Sequence, residues 1–134
     1  MLVVCLIRII YKGMRSVDFN TLKKYCLSKK GAFEDFPFDN RTLVFKIEGK
    51  MFALTNIDCM PFYVNLKCDP FLCEVLRQEY AAIKPGYHMA KKYWNTVVMD
   101  DSIPDEKVFW MIDMSYDLVL KGLKKQEREA IING

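Results

Sequence analysis

Residues 42–55, TLVFKIEGKMFALT, contain two apolar segments on either side of Glu48-Gly49-Lys50. Segments 42–47 and 51–55 are rich in β-branched, aromatic and other apolar residues, and a glycine stands between them. This pattern predicts a β-hairpin with a tight turn. A third run, Phe62 to Lys67, follows closely and alternates well, so it predicts a third strand. Three consecutive strands with short links are antiparallel, and they begin a sheet.

Helices are predicted on both sides of these strands. Asp18 can cap a helix over residues 19–29, and Asp69-Pro70 opens a second helix that runs to about Tyr80. The apolar spacing of the second helix predicts a buried face made of Phe71, Leu72, Val75 and Leu76.

The C-terminal part of the chain predicts one more strand and two more helices. After a turn at Lys84-Pro85-Gly86, residues 94–99 read as a fourth strand. The longest helix runs from near Pro104 to Lys121, and a short charged helix covers 125–132. A buried stripe at helical spacing is expected along the longest helix, formed by Val108, Met111, Ile112, Ser115 and Val119.

The predicted order is α-β-β-β-α-β-α-α. It favours an α+β fold, a two-layer sandwich in which helices cover one face of an antiparallel sheet. The other face of the sheet is then either wet or in contact with a partner. With 134 residues, 51% of them hydrophobic, the chain has the size and composition of one globular domain. The net charge of +3 permits a nucleic-acid partner without arguing for one.

The first thirteen residues, MLVVCLIRIIYKG, form an apolar extension. They are too few to cross a bilayer and lack the pattern of a signal peptide, so no membrane association is expected. The segment is either an extra strand or an upstream extension before the true initiator, Met14. We favour Met14, because the capped and periodic part of the chain begins just after it. The domain is therefore expected to span residues 14–134.

The sequence offers little catalytic chemistry. Its five cysteines form no Cys-x-x-Cys pair, and His88 is its single histidine, so a zinc site of the common kinds is not expected. Nucleotide-binding and metalloprotease motifs are also missing from the sequence. We expect no cofactor, no metal and no enzymatic activity. Reduced, mostly buried thiols are typical of a cytoplasmic protein.

Four blocks of this sequence resemble the MmcQ/YjbR family of small bacterial proteins. They are KKYCLSKKGAFEDFPFDNRTLVFKIEGKMFALTN, VNLKCDPFLCEVLRQEY, KPGYHMAKKYWNTVVMDDSIPDEKV and MIDMSYDLV. The resemblance covers about residues 18–132, whereas the first thirteen residues depart from the family pattern. It implies an antiparallel sheet with helices on one face, likened to secretion chaperones and to the frataxin-like (CyaY-like) fold. It also implies DNA binding through a double-wing arrangement of hairpins, and it implies no catalytic activity.

Segment 84–95, KPGYHMAKKYWN, is the first candidate binding site. Lys84, Lys91 and Lys92 have no acidic neighbour within it, and aromatic residues lie between them. Basic groups can hold phosphates while rings stack, so these lysines and His88 are candidate nucleic-acid contacts. The alternative is structural: the lysines form a solvated edge, His88 serves as a hydrogen-bonding or capping group, and Trp94 belongs to the core.

The predicted hairpin is the second candidate. Arg41, Lys46 and Lys50 surround its turn, and a basic hairpin tip can lie along a nucleic-acid backbone as a wing. The structural alternative is that lysines on an edge strand prevent aggregation between sheets.

Three functions stay open at this stage. The first is weak, sequence-independent DNA binding through phosphate contacts from the basic loop and the hairpin. The second is a protein-interaction or chaperone-like module that uses the open sheet face or an edge strand. The third is a small-ligand binder or enzyme with a pocket near His88.

Overall fold

The computed structural model describes residues 17–134, which fold into four helices and six strands. The predictions about residues 1–13 and Met14 lie outside the described residues. The elements are α1 Phe19–Leu27, β1 Ala32–Asp35, β2 Thr42–Ile47, β3 Lys50–Asn56, β4 Tyr63–Lys67, α2 Pro70–Glu79, β5 Ile83–Pro85, β6 Trp94–Val98, α3 Asp105–Lys121 and α4 Lys125–Asn133.

The strands form one sheet in the order β1-β2-β3-β4-β6-β5, and every neighbouring pair is antiparallel. The predicted α+β class is confirmed, but the element order gains two short strands and becomes α-β-β-β-β-α-β-β-α-α. The expected turn at Lys84-Pro85-Gly86 is wrong in part, because Ile83–Pro85 is strand β5. Proline has no backbone N–H to donate. It is tolerated in β5 because this is an edge strand, which pairs with a neighbour on one side only.

The main core lies between the sheet and the helices. Helix α3 crosses this face, and its predicted stripe is confirmed because all five residues are buried. Asp105 and Glu106 occupy its first turn, where negative charge opposes the helix dipole. No helix within residues 17–134 is both long enough and apolar enough to cross a membrane.

The predicted buried face of α2 is wrong in two positions. Phe71 is 77% exposed and Val75 38% exposed, whereas the helix buries Cys73 and Leu76. The rotation of α2 is set by polar contacts with β6: Asn95 Nδ2 donates to the Cys73 carbonyl at 3.3 Å, and Arg77 Nε donates to Asn95 Oδ1 at 2.7 Å. These partners are distant in the sequence, so apolar spacing alone does not reveal them.

The sheet face opposite the helices is partly closed by the chain itself. Val44, Leu54 and Trp94 form a second, small buried cluster, and Met51 and Met89 pack against it. Trp94 is therefore a core residue, as the structural alternative predicted.

Polar groups on the same sheet face are also covered by the chain. The Tyr87 N–H donates to Thr96 Oγ1 at 2.8 Å, and the Thr96 hydroxyl donates to Asn65 Oδ1. Asn65 and Thr96 are both buried. Segment 86–93 thus folds over this part of the sheet, which leaves less of the face available to a partner.

Candidate nucleic-acid interface

The strand register brings two connections to one end of the sheet. Strand β2 runs toward this end and β3 returns from it, so the turn at Glu48-Gly49 projects there. Strand β4 runs in the same direction as β2, because both are antiparallel to β3. Strand β6 is antiparallel to β4 and begins at this end, so the β5–β6 loop, residues 86–93, also projects there. We call this end of the sheet the lysine end, defined by Lys50, Lys67, Lys91 and Lys92.

The β2–β3 turn is open to solvent. Glu48, Gly49 and Lys50 are all exposed, and no atom outside the turn lies within 4 Å of a Cβ placed on Gly49. Glu48 has a φ of 53°, in the left-handed region that tight hairpin turns require. Lys50 therefore stands at an accessible tip, as a wing would require.

The β5–β6 loop is more tightly built. Gly86 is buried, and a Cβ on it would lie 2.8 Å from the Cβ of Trp94 and 3.0 Å from that of Met89, so no larger residue fits. The Gly86 N–H donates to the Trp94 carbonyl at 2.9 Å, and Lys91 Nζ donates to the Gly86 carbonyl at 3.0 Å. Lys91 is thus partly a structural residue of its own loop.

Arg77, on helix α2, fastens this loop to the helix layer. Besides its bond to Asn95, its Nη2 donates to the Trp94 carbonyl at 3.2 Å and to the Lys91 carbonyl. The planar guanidinium can satisfy several acceptors at once, which a lysine ammonium does in a less fixed geometry. Sequence reasoning missed Arg77, since nothing near it in the chain points to a partner 14 to 18 residues away.

Three predicted site residues, Lys50, Lys91 and Lys92, meet at the lysine end. Lys92 is exposed, and its Nζ lies 5.7 Å from the centre of the Tyr93 ring. His88 belongs to the same loop, with a φ of 58°, and its exposed ring lies 4.0 Å from the Tyr87 ring, centre to centre.

The other predicted basic residues lie elsewhere. Arg41 precedes β2 at the opposite end of the sheet, where its Nε pairs with Asp58 at 3.2 Å. Lys84 is on the edge strand β5. Lys46 is on the sheet face, where its Nζ contacts Asp35 at 2.9 Å. The Lys46 hydrogen bond also lowers the pKa of the Asp35 carboxyl, so this pair stays ionised and the charge of Lys46 is largely compensated.

Lys67 was not among the predicted site residues. It is the last residue of β4, the strand that lies between the two connections, and it is half-buried. Beside it is an open groove of about 380 Å³, which is lined by Lys67, Cys68, Asp69, Pro70, Tyr93, Trp94 and Leu118. Only the strand order places this lysine between the two connections.

Three of the described thiols and the carboxyl of Asp100 have structural environments. Cys26, Cys68 and Cys73 are buried free thiols, and burial raises the pKa of Cys26 to about 12. Asp100 Oδ1 accepts the N–H of Ser102 at 3.0 Å, which fits a loop role. Within residues 17–134, no group of three His, Cys, Asp or Glu side chains converges as metal ligands would.

The fold and this end of it define a class: a small α+β protein with an antiparallel sheet, one helical layer, and two strand connections at one edge. The YjbR family model matches residues 27–118, and the chain belongs to the YjbR family. It is 32% identical over 117 residues to the uncharacterized protein YjbR of Escherichia coli K12, covering 87% of this chain and 98% of that protein.

Two other proteins support the assignment. The uncharacterized protein YbdF of Escherichia coli O157:H7 is 39% identical over 100 residues, which covers 74% of this chain and 81% of YbdF. The crystal structure of the Deinococcus radiodurans protein DR2400, with a DUF419 domain, has a TM-score of 0.80 at 40% identity and covers 88% of each chain. The expected family and its fold are therefore confirmed.

Proposed function

We propose that this protein is a non-enzymatic DNA-binding protein that contacts phosphates with its lysine end. The observation that carries the proposal is the position of the two strand connections, which project from the same edge with a lysine on each. Lysines that neutralise phosphates release counterions from DNA, and this sequence-independent term supplies most of weak binding. Lysine lacks the two-pronged donor geometry that reads a base edge, so little sequence preference is expected.

The spacing of the connections supports the proposal. Strands in a sheet lie about 4.8 Å apart, so the middle of the β2–β3 turn and the middle of the β5–β6 loop, three strand spacings apart, are separated by roughly 14 Å. The major groove of B-DNA is about 12 Å wide. Lys50 and Lys92 are therefore spaced to reach phosphates on either side of a groove, with Lys67 between them. Free thiols fit a reducing compartment, so we place this activity in the cytoplasm.

The test is a fluorescence-anisotropy titration with a labelled duplex at two salt concentrations. In the variant Lys50→Ala/Lys92→Ala, loss of two phosphate contacts lowers the slope of log K against log salt by about 1.8, at 0.9 per contact. Lys91 is left in place because its ammonium also holds the Gly86 carbonyl.

The matched control is Arg41→Ala/Lys107→Ala. It removes the same two charges, but from the opposite end of the molecule, where Arg41 precedes β2 and Lys107 is in the first turns of α3. Its salt slope should equal that of the wild-type protein. Equal slopes for both variants would reject the lysine end, and no binding at low salt would reject the function.

Protein binding at the β1 edge is the second candidate. Strand β1 has a neighbour on one side, and Phe33, Phe36 and Phe38 on and beside it are 43%, 43% and 63% exposed. An edge strand with exposed aromatic side chains suits the addition of a strand from a partner. This candidate takes precedence if duplex and single-stranded DNA both fail to bind at low salt.

A further inference from the structure

The groove beside Lys67 combines aromatic, apolar and charged side chains. Tyr93 is 43% exposed on one side of it, and Pro70 and Leu118 contribute apolar atoms from α2 and α3. Tyr93 is the last residue before β6, and it lines the groove together with the neighbouring Trp94. The result is a groove with an aromatic wall and apolar atoms, bordered by the charged side chains of Lys67 and Asp69, at the lysine end.

We propose that this groove takes an unpaired base of single-stranded DNA, stacked on Tyr93, while the neighbouring lysines hold the flanking phosphates. The inference rests on the proposed function and names its substrate class. The occupant follows from charge and shape together. Lys67 lines the groove, and the Nζ of Lys92 lies 5.7 Å from the centre of the Tyr93 ring, so two cations favour an anionic chain, and an aromatic wall favours a planar ring. The one carboxylate in the lining, Asp69, caps α2 by accepting the N–H groups of Phe71 and Leu72.

A base in a duplex does not fit this site without leaving its stack. The groove is open, and its lining comes from the end of β4, the start of α2, α3 and the residues at the start of β6, with no residue of the β2–β3 turn. Unstacking a paired base costs a few kcal/mol, whereas a single strand presents its bases freely. Single-stranded DNA is therefore expected to bind more tightly than a duplex of the same length and charge density.

The experiment compares the wild-type protein with Tyr93→Ala and Tyr93→Phe, titrated by anisotropy against a labelled oligo-dT. Stacking on an aromatic side chain contributes about 1–3 kcal/mol per base, so Tyr93→Ala should bind about 5- to 150-fold more weakly. Tyr93→Phe keeps the ring and should restore the affinity. The salt slope should stay unchanged in both variants, because the phosphate contacts remain.

A second ligand distinguishes the contribution of the bases to the affinity from that of the phosphate backbone. An oligonucleotide in which several successive nucleotides are abasic keeps its phosphates and lacks the rings. The wild-type protein should bind it as weakly as Tyr93→Ala binds oligo-dT, and Tyr93→Ala should not distinguish the two ligands. The matched control is Tyr80→Ala, a tyrosine that lines a different depression beside Trp110. It should bind like the wild-type protein, and a melting temperature for each variant excludes misfolding.

The two proposals fail in different ways. Equal affinity of the wild-type protein for oligo-dT and the abasic strand would overturn base binding. DNA binding would survive that result if Lys50→Ala/Lys92→Ala still lowers the salt slope. A loss of affinity in Tyr93→Ala that Tyr93→Phe does not restore would also overturn the stacking role. Absence of binding to every DNA at low salt would overturn both.

Discussion

Replacing Ser115 by alanine should destabilise the protein far more than its small side chain suggests. Ser115 is fully buried on α3, and its hydroxyl donates to the Phe52 carbonyl at 2.6 Å while accepting the Lys67 N–H at 2.8 Å. The register between β2 and β3 shifts at this level of the sheet, with Phe52 as the extra residue between the partners of Phe45 and Lys46. Such a bulge leaves ladder groups without partners, and here the serine hydroxyl fills the gap.

The magnitude follows from the two groups that lose a partner. The Cys68 N–H donates to the Tyr93 carbonyl at 2.8 Å on the β6 side, so the Lys67 N–H is directed toward β3, where it donates to the Ser115 hydroxyl. A buried polar group left without a hydrogen bond costs about 1–3 kcal/mol, so two such groups cost about 2–6 kcal/mol. This is a large fraction of a typical folding free energy of 5–15 kcal/mol, and it lowers the melting temperature by roughly 6–30 °C.

Urea denaturation followed by circular dichroism measures the free energy, and hydrogen exchange of the Lys67 amide reports the contact itself. The exchange of this amide should accelerate more than that of amides elsewhere in β4. Ser28→Ala is the matched control: that hydroxyl also donates to a backbone carbonyl, Tyr25 O at 2.6 Å, but on the surface. Its loss should cost no more than about 0.5 kcal/mol. A cost below about 1 kcal/mol for Ser115→Ala would refute the argument that the hydroxyl completes the bulge.

Three other predictions follow from burial and charge. Iodoacetamide at pH 8 should modify Cys59, which is partly exposed, and spare Cys26 until urea is added, because burial raises the pKa of Cys26 to about 12. Since a thiol in an unfolded chain ionises near pH 8.5, Cys26 also makes the fold less stable as the pH rises from about 8.5 toward 12. The Asp35 carboxyl, whose pKa is lowered by Lys46, should titrate in carbon NMR below the ordinary value near 3.9, and Lys46→Met should return it. The stability that this carboxylate contributes is present above about pH 4 and falls with the pH below that value. Trp94→Ala should cost about 3–5 kcal/mol in urea denaturation because its ring is buried, and a cost near zero would place the ring outside the core.

Long periodic elements were predictable because their pattern repeats. Helix α3 shows its buried face through five residues at helical spacing, and the β2–β3 hairpin shows itself through two apolar runs around a glycine turn. Strands β1 and β5 were missed because they have four and three residues, too few for an alternation to be visible. Both are edge strands, so their position depends on the one neighbouring strand that each pairs with.

Local composition identified candidate lysines but not which of them share a surface. Lys50 and Lys92 are 42 positions apart in the numbering and come to the same end of the sheet because β3 and β6 both pair with β4 and both begin at that end. Arg41 is nearer to Lys50 in the chain, yet one strand length separates them and sends Arg41 to the opposite end. Lys46 lies between these two, but alternation places it on the sheet face with Asp35. Within a strand, residues that are close in sequence can lie at opposite ends or on opposite faces of the sheet. Which lysines share a surface is therefore determined by the order and direction of the strands.

Arg77 holds the loop that carries both Lys92 and Tyr93, the proposed phosphate contact and the proposed stacking residue. Its guanidinium holds the carbonyls of Lys91 and Trp94, the residues that flank Lys92 and Tyr93 in the chain. The proposed phosphate contact and the proposed stacking wall are thus positioned by one side chain, through its hydrogen bonds to the backbone of their loop. A binding site held in place before the ligand arrives loses less entropy on binding, so a loop with several structural hydrogen bonds favours affinity from few contacts. The open β2–β3 turn lacks such a clamp in the described contacts, and the β5–β6 loop is accordingly the part of the lysine end from which we expect most of the binding free energy.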